Sequence, residues 1–459
     1  MRKDLIALVL AAGKSTRFKS ERSKLLHPIL GKPLLQFSLD CVFQLRPRNV
    51  HVVVGYQKDE IMKQPLGKNV GFVVQEKQMG TAHAVLAAEK TLKKEPENDV
   101  LILNGDLFFL REKTLESTLK LHKKANNSLT FLSAEMEKPG GFGRVIRTEN
   151  GGFRIVEERD ALPAERRVKE VNVGVYFFKI KHLLEALPEI KNENKKGEYY
   201  LTDIIEIMSC KGRKVDVFRI PHTEEIIGIN DRSELARAAE LLRKRKIKEL
   251  SKKGVTCLDP ATTWIDFDVK IGMDTTVHSS VIIEGKSVIG KGCMLYPFVH
   301  ICDSRIGNKV CVLTSTVIEG SILEEGARVG PFCHLRPDTL IKSGAKVGNF
   351  VEMKNTVFGR GSKAGHLSYL GDTEVKENVN IGAGTITCNY DGRKKHKTVI
   401  ENGAFIGSGT ELVAPLKVGK GAYVGAGSTI TKDVSPHALA VSRKKQIERP
   451  GWAKKKIKK

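Results

Sequence analysis

The sequence predicts an α/β protein of two domains: an open sheet with helices in the first half, a connecting helix, and a parallel β-helix in the second half. Two periodicities indicate this division. Up to about residue 228, short apolar runs alternate with helical patterns, whereas from about residue 254 an aliphatic residue recurs every six positions. At 459 residues the chain is also long enough for two or three domains.

The first half alternates strand and helix patterns. The runs LIALVLAAG, NVHVVVGY, VGFVVQ and DVLILNGD are typical of buried strands, and TAHAVLAAEKTLKK and EKTLESTLKLHKK are typical of helices. This alternation favours an open α/β sheet, in which ligands bind at the carboxyl ends of the strands. Because LAAGKST and LNGD follow two such ends, both segments are candidates for a binding site.

Residues 231–252, DRSELARAAELLRKRKIKELSK, contain neither glycine nor proline and predict a long helix. Its basic residues could contact nucleic acid, but a solvated helix face is the simpler interpretation. We therefore divide the chain into a first domain at residues 1–229, a linker helix at 230–253 and a β-helix domain at 254–459. The basic tail GWAKKKIKK that ends the last domain is expected to be disordered.

The second half carries three runs of the six-residue period. Each hexapeptide predicts one short strand with its aliphatic residue pointing inward, and three hexapeptides make one triangular coil, so about ten coils are expected. The period breaks at residues 388–398, CNYDGRKKHKT, and such an insertion often projects as a loop on the binding face. The inward positions are Ile271, Val277, Ile283, Ile289, Leu295 and Ile301; Leu323, Val329, Leu335, Ile341, Val347 and Met353; and Ile400, Ile406, Leu412, Val418, Val424 and Ile430.

The charge balance favours anionic partners. Lys and Arg outnumber Asp and Glu by 77 to 53, a net charge of +24, which suits nucleic acid, acidic membrane surfaces or phosphorylated small molecules. Aromatic residues are only 6% of the chain, and no basic-aromatic stretch is typical of a single-strand stacking surface.

The cysteines and apolar runs indicate the compartment. The eight cysteines form no C-x-x-C pair, which disfavours a zinc ribbon and favours reduced thiols in a cytoplasmic protein. The apolar run near the N-terminus is short and predicts a strand rather than a signal peptide. No run approaches the roughly 18 apolar residues of a membrane span, so no transmembrane segment is expected.

Gly13-Lys14-Ser15 has the ending of a phosphate-binding P-loop. The full P-loop needs another glycine five positions before Gly13, and this chain has Leu8 there, inside the predicted strand. An ATPase or GTPase loop is therefore disfavoured. The small residues that remain still let backbone N–H groups approach a phosphate closely.

Several motifs together point to a known family. LAAGKSTRF, followed by SKLLHPILGKPLL, resembles the signature L-x-x-G-x-G-T-R-x-x-P-K of sugar-nucleotide pyrophosphorylases, with Ser15 and Ser23 replacing a glycine and the proline. The segments QEKQMGTAHAV, LNGD, GFGRVIR, IVEERDA, VNVGVYFF, YYLTDII and IIGIN are also similar. The second half adds LRPDT, VGNFVEMKNT, GSKAGHLSYLGD and NVNIGAGTITCNYDG. From about residue 5 to 452, the chain resembles the bifunctional bacterial N-acetylglucosamine-1-phosphate uridyltransferase/glucosamine-1-phosphate N-acetyltransferases.

For the first domain, the resemblance implies a Rossmann-like nucleotidyltransferase. It would transfer a uridylyl group from UTP to N-acetylglucosamine 1-phosphate and release pyrophosphate, with Arg17 and Lys24 as catalytic cations and Asp106 and Asn230 holding Mg²⁺. Without the resemblance, Asp106 could cap a turn, and Lys24 could be a solvated lysine. The implied UTP and UDP-sugar contacts are Leu10, Ala11, Ala12, Gly13, Lys24, Gln75, Gly80, Thr81, Asn104, Gly105, Asp106, Gly143, Glu157, Asn172 and Asn230.

For the second domain, the resemblance implies a left-handed parallel β-helix that acetylates glucosamine 1-phosphate with acetyl-CoA. His366 would be the base that accepts the amine proton, although a lone histidine in a repeat is often a structural residue. The family assembles as homotrimers, so a homotrimer is expected. The implied glucosamine-1-phosphate contacts are Arg336, Lys354, Tyr369 and Asn380, and the implied acetyl-CoA contacts are Ala383, Asn389, Tyr390, Ser408, Ala426 and Arg443.

The sequence allows two other functions. One is a nucleotidyltransferase with a single activity and a purely structural β-helix, which the set Arg336, Lys354, His366, Tyr369 and Asn389 disfavours. The other is a nucleic-acid-binding protein, suggested by the net charge and the KKKIKK ending. We expect small-molecule substrates (UTP, glucosamine 1-phosphate and acetyl-CoA) and no specific nucleic-acid partner.

Overall fold

A computed structural model describes residues 2–67, 69–226 and 228–455. The chain divides into two compact units, residues 1–240 and 241–459. The point of division lies within the helix Arg232–Lys252, which occupies the segment where the sequence predicted a long helix.

The first unit is built on one mixed sheet. Its strands follow the order Val215–Arg219, Leu129–Glu135, Glu170–Lys179, Asp99–Asn104, Arg2–Ala11, Pro47–Val54 and Val70–Val74. Glu170–Lys179 is antiparallel to both neighbours, and the other adjacent pairs are parallel. A hairpin of Arg144–Arg147 and Phe153–Val156 is attached to Glu170–Lys179, and Pro28–Ile29 pairs with Lys32–Pro33.

Helices flank this sheet and build its two hydrophobic cores. They are Leu34–Gln44, Lys58–Met62, Thr81–Ala87, Glu89–Leu92, Glu112–Lys124, Pro163–Arg166, Ile180–Ala186 and Asp203–Cys210, with 3₁₀ turns at Thr16–Phe18, Lys24–Leu26, Leu187–Glu189 and Thr223–Ile226. Successive residues of the central strand face opposite cores, with Leu5 on one side and Ile6 and Leu8 on the other. Burial on both faces explains why this strand is apolar from Leu5 onward, whereas Arg2, Lys3 and Asp4 at its start are not buried.

The two candidate segments of the first half meet at one edge of the sheet. Leu10 of the central strand pairs with Asn104 of the adjacent parallel strand, so both chains leave the sheet side by side. Leu8 is fully buried, which places the position of the missing P-loop glycine inside the sheet.

The second unit is a parallel β-helix with three sheets of 11, 10 and 9 strands. Each strand pairs in parallel with a strand of the next coil, and every inward position predicted from the six-residue period is buried. The first sheet contains Thr256–Cys257, Thr276–Val277, Met294–Leu295, Cys311–Val312, Arg328–Val329, Lys346–Asn349, Lys363–His366, Asn380–Ile381, Phe405–Ile406, Tyr423–Val424 and Leu439–Ala440.

The other two sheets complete each coil. The second contains Trp264–Ile265, Ile282–Glu284, His300–Cys302, Val317–Glu319, His334–Leu335, Glu352–Lys354, Tyr369–Gly371, Ile386–Cys388, Glu411–Val413 and Thr429–Ile430. The third contains Lys270–Ile271, Val288–Ile289, Arg305–Ile306, Ile322–Leu323, Leu340–Ile341, Val357–Phe358, Thr373–Val375, Thr398–Ile400 and Leu416–Val418. The predicted fold class, an α/β domain followed by a β-helix of about ten coils, is confirmed.

The structure departs from the sequence-based expectation in two places. The segment TAHAVLAAEKTLKK forms two short helices, Thr81–Ala87 and Glu89–Leu92, because Ala88 leaves helical geometry with ψ near 2°. In the tail predicted to be disordered, Ala453–Lys455 forms a 3₁₀ turn, while residues 456–459 lie outside the described residues. Across the described ranges, no helix combines the length and apolar character needed to span a bilayer.

Candidate functional site

A cavity of about 780 Å³ opens at the carboxyl edge of the sheet in the first unit. Its volume is in the range of pockets that bind drug-sized ligands. Most residues predicted to contact the nucleotide line it: Leu10, Ala11, Ala12, Gly13, Arg17, Lys24, Gln75, Gly80, Thr81, Asn104, Asp106 and Glu157. The cavity therefore brings together segments that are far apart in the sequence, such as those of Leu10 and Glu157.

The predicted catalytic cations lie against the predicted metal ligands. Lys24, only 8% exposed, donates from Nζ to Asp106 Oδ2 at 2.7 Å and to the carbonyl of Ile229 at 2.8 Å. Arg17 donates from Nη2 to Asn230 Oδ1 at 2.7 Å. Two basic side chains from the beginning of the domain thus meet two oxygen ligands that lie in its middle and at its end.

The donor set suits magnesium rather than a softer metal. Among the described residues, no group of three or more His, Cys, Asp and Glu side chains is placed to hold a metal ion. Asp106 and Asn230 offer a carboxylate and an amide oxygen. Mg²⁺ prefers such oxygens and commonly keeps several waters and substrate phosphates as its remaining ligands.

The predicted sugar contacts lie around Glu157. Burial raises the pKa of Glu157, whose Oε1 accepts a hydrogen bond from Thr202 at 3.3 Å. A Cβ at Gly143 would lie 3.4 Å from that same oxygen and 2.8 Å from Ile155, so only glycine leaves this space open. Asn172 donates its backbone N–H to Gly143 at 2.9 Å and its side-chain N–H to a tyrosine hydroxyl.

Four predicted contacts do not line the cavity directly: Gly105, Gly143, Asn172 and Asn230. Gly143 lies beside Glu157, Asn172 is hydrogen-bonded to Gly143, and Asn230 is hydrogen-bonded to Arg17. Gly105 lies behind the cavity, where a Cβ would come within 3.0 Å of Leu35 and 3.1 Å of the carbonyl of Leu10. The structure therefore gives Gly105 a packing role, which a motif of consecutive residues cannot distinguish from ligand contact.

Sequence reasoning missed further lining residues: Lys14, Ser15, Leu25, Gln78, Ala84, Gly141, Glu158, Arg159, Lys196, Glu198 and Tyr200. Glu158, Arg159 and Tyr200 belong to the segments IVEERDA and YYLTDII, which carried the family resemblance. Their position in these segments is a sequence signal that could have identified them as site residues. Lys196 and Glu198 come from a polar loop with no such signal.

In the second unit, the predicted base and cofactor contacts form a column at one corner of the β-helix. His366 lies two positions after the inward residue of its strand, and Ala383, Ser408 and Ala426 hold the same position in the following coils. Each corner is tied to the next by a backbone hydrogen bond, such as Gly409 N–H to Ala383 at 2.7 Å. We call His366, Ala383, Ser408 and Ala426 the corner column.

The residue after each member of the column changes the shape of this corner. Leu367, after His366, is 61% exposed, whereas the next three coils have Gly384, Gly409 and Gly427 at that position, all with positive φ. A Cβ at Gly409 or Gly427 would meet nothing closer than 3.8 Å. The backbone above His366 is therefore accessible to an extended ligand running along the coils, and Arg443, which donates to the carbonyl of Ala426 at 2.9 Å, lies at its far end.

Three of the four predicted sugar-phosphate contacts lie on or next to strands of the adjacent sheet: Arg336, Lys354 and Tyr369. Glu352 is paired in register with Tyr369, and Lys354 with Gly371. Arg336 follows the neighbouring strand and forms an ion pair with Glu352 at 2.9 Å. Arg336 and Lys354 each follow the inward residue of their strand and are neighbours on one face, about 5 Å apart, whereas Tyr369 precedes the inward residue of the next strand and lies opposite Glu352.

Asn389 and Tyr390 begin the insertion between Ile386–Cys388 and Thr398–Ile400. Asn389 is buried and donates to Asp372 Oδ2 at 2.5 Å, whereas Tyr390 is 62% exposed and donates to the carbonyl of Gly392. Asn380 lies elsewhere, opposite Lys363 in the strand pairing and about 10 Å along the strand from His366. Strand register therefore separates Asn380 from His366, and a sequence motif does not reveal this separation.

Comparison with known protein families gives a match in each half of the chain. The nucleotidyl transferase family model matches residues 6–222, and the bacterial transferase hexapeptide (six repeats) model matches residues 397–432.

Relatives match almost the whole chain. It is 48% identical over 453 residues to the Bifunctional protein GlmU of Thermotoga sp. (strain RQ2), covering 98% of this chain and 99% of that protein. The protein of the same name from Thermodesulfovibrio yellowstonii is 45% identical, with 98% and 99% covered, and that from Geobacillus sp. (strain WCH70) is 44% identical, with 97% of each covered. The chain therefore belongs to the family of bifunctional GlmU proteins.

Proposed function

We propose that the protein makes UDP-N-acetylglucosamine in two steps. The β-helix transfers the acetyl group of acetyl-CoA to the amine of glucosamine 1-phosphate, and the first domain then joins N-acetylglucosamine 1-phosphate to the uridylyl group of UTP. The observation that carries this proposal is the coexistence of two sites in one chain: the cavity with Lys24 and Asp106, and the corner column with His366.

In the uridylyl step, a phosphate oxygen of the sugar phosphate attacks the α-phosphorus of UTP, and the bond to the β-phosphate oxygen breaks to release pyrophosphate. The step brings two anions together, so Arg17 and Lys24 bind phosphate oxygens and stabilise the charge that develops. Asp106 and Asn230 hold Mg²⁺, which, when bound, supplies further neutralisation of phosphate charge. Gly143, Glu157 and Asn172 bind the N-acetylated sugar.

In the acetyl step, the amine nitrogen attacks the thioester carbonyl, the carbon–sulfur bond breaks and CoA leaves as the thiolate. His366 accepts the proton that the amine loses. The open corner above His366 suits the extended arm of acetyl-CoA, and Arg443 at its far end suits a phosphate of the cofactor. Arg336 and Lys354 suit the phosphate of the sugar.

We further propose that the β-helices assemble as homotrimers. The corner that carries His366 also presents Phe332 and Phe350, which are 51% and 57% exposed and stack with ring centroids 5.4 Å apart. A stacked pair of exposed aromatic side chains is typical of an interaction surface. Light scattering with size-exclusion chromatography tests this assembly: a mass three times that of the chain is expected, and a monomer would contradict it.

A cytoplasmic location is also proposed, because all eight cysteines are free thiols and both reactions use phosphorylated intracellular metabolites.

Mass spectrometry of products tests the main proposal. Purified protein is mixed with glucosamine 1-phosphate, acetyl-CoA, UTP and Mg²⁺, and UDP-N-acetylglucosamine is expected. Accumulation of N-acetylglucosamine 1-phosphate alone would contradict the uridylyl assignment, and absence of both products would contradict the function as a whole.

A further inference from the structure

Arg144 is the largest side chain in the described chain that is almost fully buried, at 2% exposure. Burial of a guanidinium is costly unless its donors are paired. Arg144 uses one nitrogen, Nη1, for the backbone carbonyl of Phe142 and the other, Nη2, for the carboxylate of Glu158. Its Nε has no hydrogen-bond partner among the described residues. Packing alone does not explain why a cation with an unpaired N–H group is buried at this position.

The position of Arg144 in the sheet supplies one. It follows Gly143 directly, pairs with Val156 across the hairpin and pairs with Val171 on the other side. Each of these partners precedes one residue assigned to the sugar: Glu157 follows Val156, and Asn172 follows Val171. Each of the three proposed sugar contacts is therefore next in the chain to Arg144 itself or to a residue paired with it in the sheet, although the three contacts come from separate segments.

The side chain of Arg144 also contacts two of the segments that carry the proposed sugar contacts. Phe142 belongs to the turn that leads into Gly143, and Glu158 lines the cavity next to Glu157. A guanidinium can hold two acceptors in fixed directions with its planar fork, which a single ammonium cannot do. Arg144 thus ties the turn before Gly143 to the chain segment after Glu157.

We propose that Arg144 is a positioning residue for the sugar end of the cavity: it fixes Gly143, Glu157 and Asn172 relative to one another without touching the substrate. This inference rests on the proposed function, because it takes those three residues as the sugar contacts. It assigns Arg144 to binding of the sugar phosphate and not to binding of UTP, whose proposed contacts at Gly13, Gln75 and Thr81 lie on other strands and loops.

The test is steady-state kinetics of the uridylyl reaction with R144K, which keeps the positive charge and removes the fork. The KM for N-acetylglucosamine 1-phosphate is expected to rise about tenfold or more, while the KM for UTP stays within about twofold of wild type. The matched control is R147K, in the same strand, where the arginine is 59% exposed and pairs with Glu170. Its kinetics are expected to match wild type.

A purely structural role would affect both substrates. Equal changes in both KM values, or no change in R144K, would overturn the proposal. E158Q provides a second route if R144K folds poorly: it is expected to raise the same KM, and an unchanged KM for the sugar phosphate in E158Q would also overturn it. In the double variant R144K/E158Q, the increase in the KM for the sugar phosphate is expected to be smaller than the two single increases combined. Both substitutions disrupt the same contact, the one between Arg144 and Glu158.

Failure of the proposed function is distinguishable from failure of this inference. If the wild-type protein transfers no uridylyl group, the proposed function is wrong. If the wild type is active and R144K shows no difference between its two substrates, only the assignment of Arg144 is wrong.

Discussion

The ammonium group of Lys24 lies 2.7 Å from the carboxylate of Asp106, although 82 residues separate them in the sequence. The pair places a cation and a proposed metal ligand at the carboxyl edge of two adjacent parallel strands. We expect K24M to lower the rate of uridylyl transfer at least 10²-fold, because a preorganised charge at the reacting phosphates is lost. Pyrophosphate release measures this rate.

A matched control for K24M is available in the same domain. Lys32 is equally buried, at 8% exposure, and pairs with Asp40 at 2.8 Å, but it does not line the cavity. K32M is expected to retain uridylyl transfer if it folds. Equal loss of activity in both variants would contradict the prediction, because it would show that uridylyl transfer depends on a buried lysine in the domain and not on a lysine in the cavity.

For the second site, we expect H366A to lower acetyl transfer at least 10²-fold while uridylyl transfer is retained, because a positioned base is lost from the β-helix alone. Release of free CoA thiol measures the acetyl step. H300A serves as control, since His300 pairs with Glu284 at 2.7 Å on an earlier coil. Full acetyl transfer in H366A would remove the assignment of the base.

Ser15 has φ near 47°, the left-handed region that favours glycine. This explains why the family signature has glycine at that position. We expect S15G to be more stable than S15A by about 1 kcal/mol. The Cβ of alanine, like that of serine, strains this backbone conformation, whereas glycine has no Cβ. Thermal unfolding of the two variants side by side measures the difference. If S15A were the more stable of the two, backbone strain at Ser15 would be excluded.

Asp203 provides a test of pH dependence. Burial, together with the nearby carboxylates of Glu157 and Glu206, raises the pKa of Asp203 to about 6. A raised carboxyl pKa favours folding below the unfolded pKa, and that contribution is lost as the pH rises from about 4 to about 6. At pH 7.5 we therefore expect D203N to be more stable than wild type by about 1 kcal/mol, a figure reduced for partial exposure.

The stabilisation in D203N should shrink at pH 4, where the wild-type carboxyl is protonated in the folded protein. Chemical denaturation at both pH values measures the two differences. D59N is the control, because Asp59 also lies in the first turn of a helix but is exposed. An equal gain for D203N at pH 4 and pH 7.5 would contradict the titration of Asp203.

The sequence by itself determined the architecture of this protein, because architecture follows from periodicity. Burial of one aliphatic residue in every six specifies a β-helix, and uniformly apolar runs such as residues 5–11 specify a sheet covered on both faces. The contacts implied by the family resemblance also included 12 of the 23 residues that line the cavity, among them Arg17, Lys24 and Asp106.

Only the tertiary structure decided which of these residues are neighbours. The packing of the turn Lys24–Leu26 placed Lys24 on Asp106, and strand register set Ala383 above His366 and Asn380 away from that histidine. The same pairing surrounded Arg144 with Gly143, Glu157 and Asn172, and left Gly105 behind the cavity. These relationships depend on contacts between residues far apart in the chain, and such contacts leave no local pattern in the sequence.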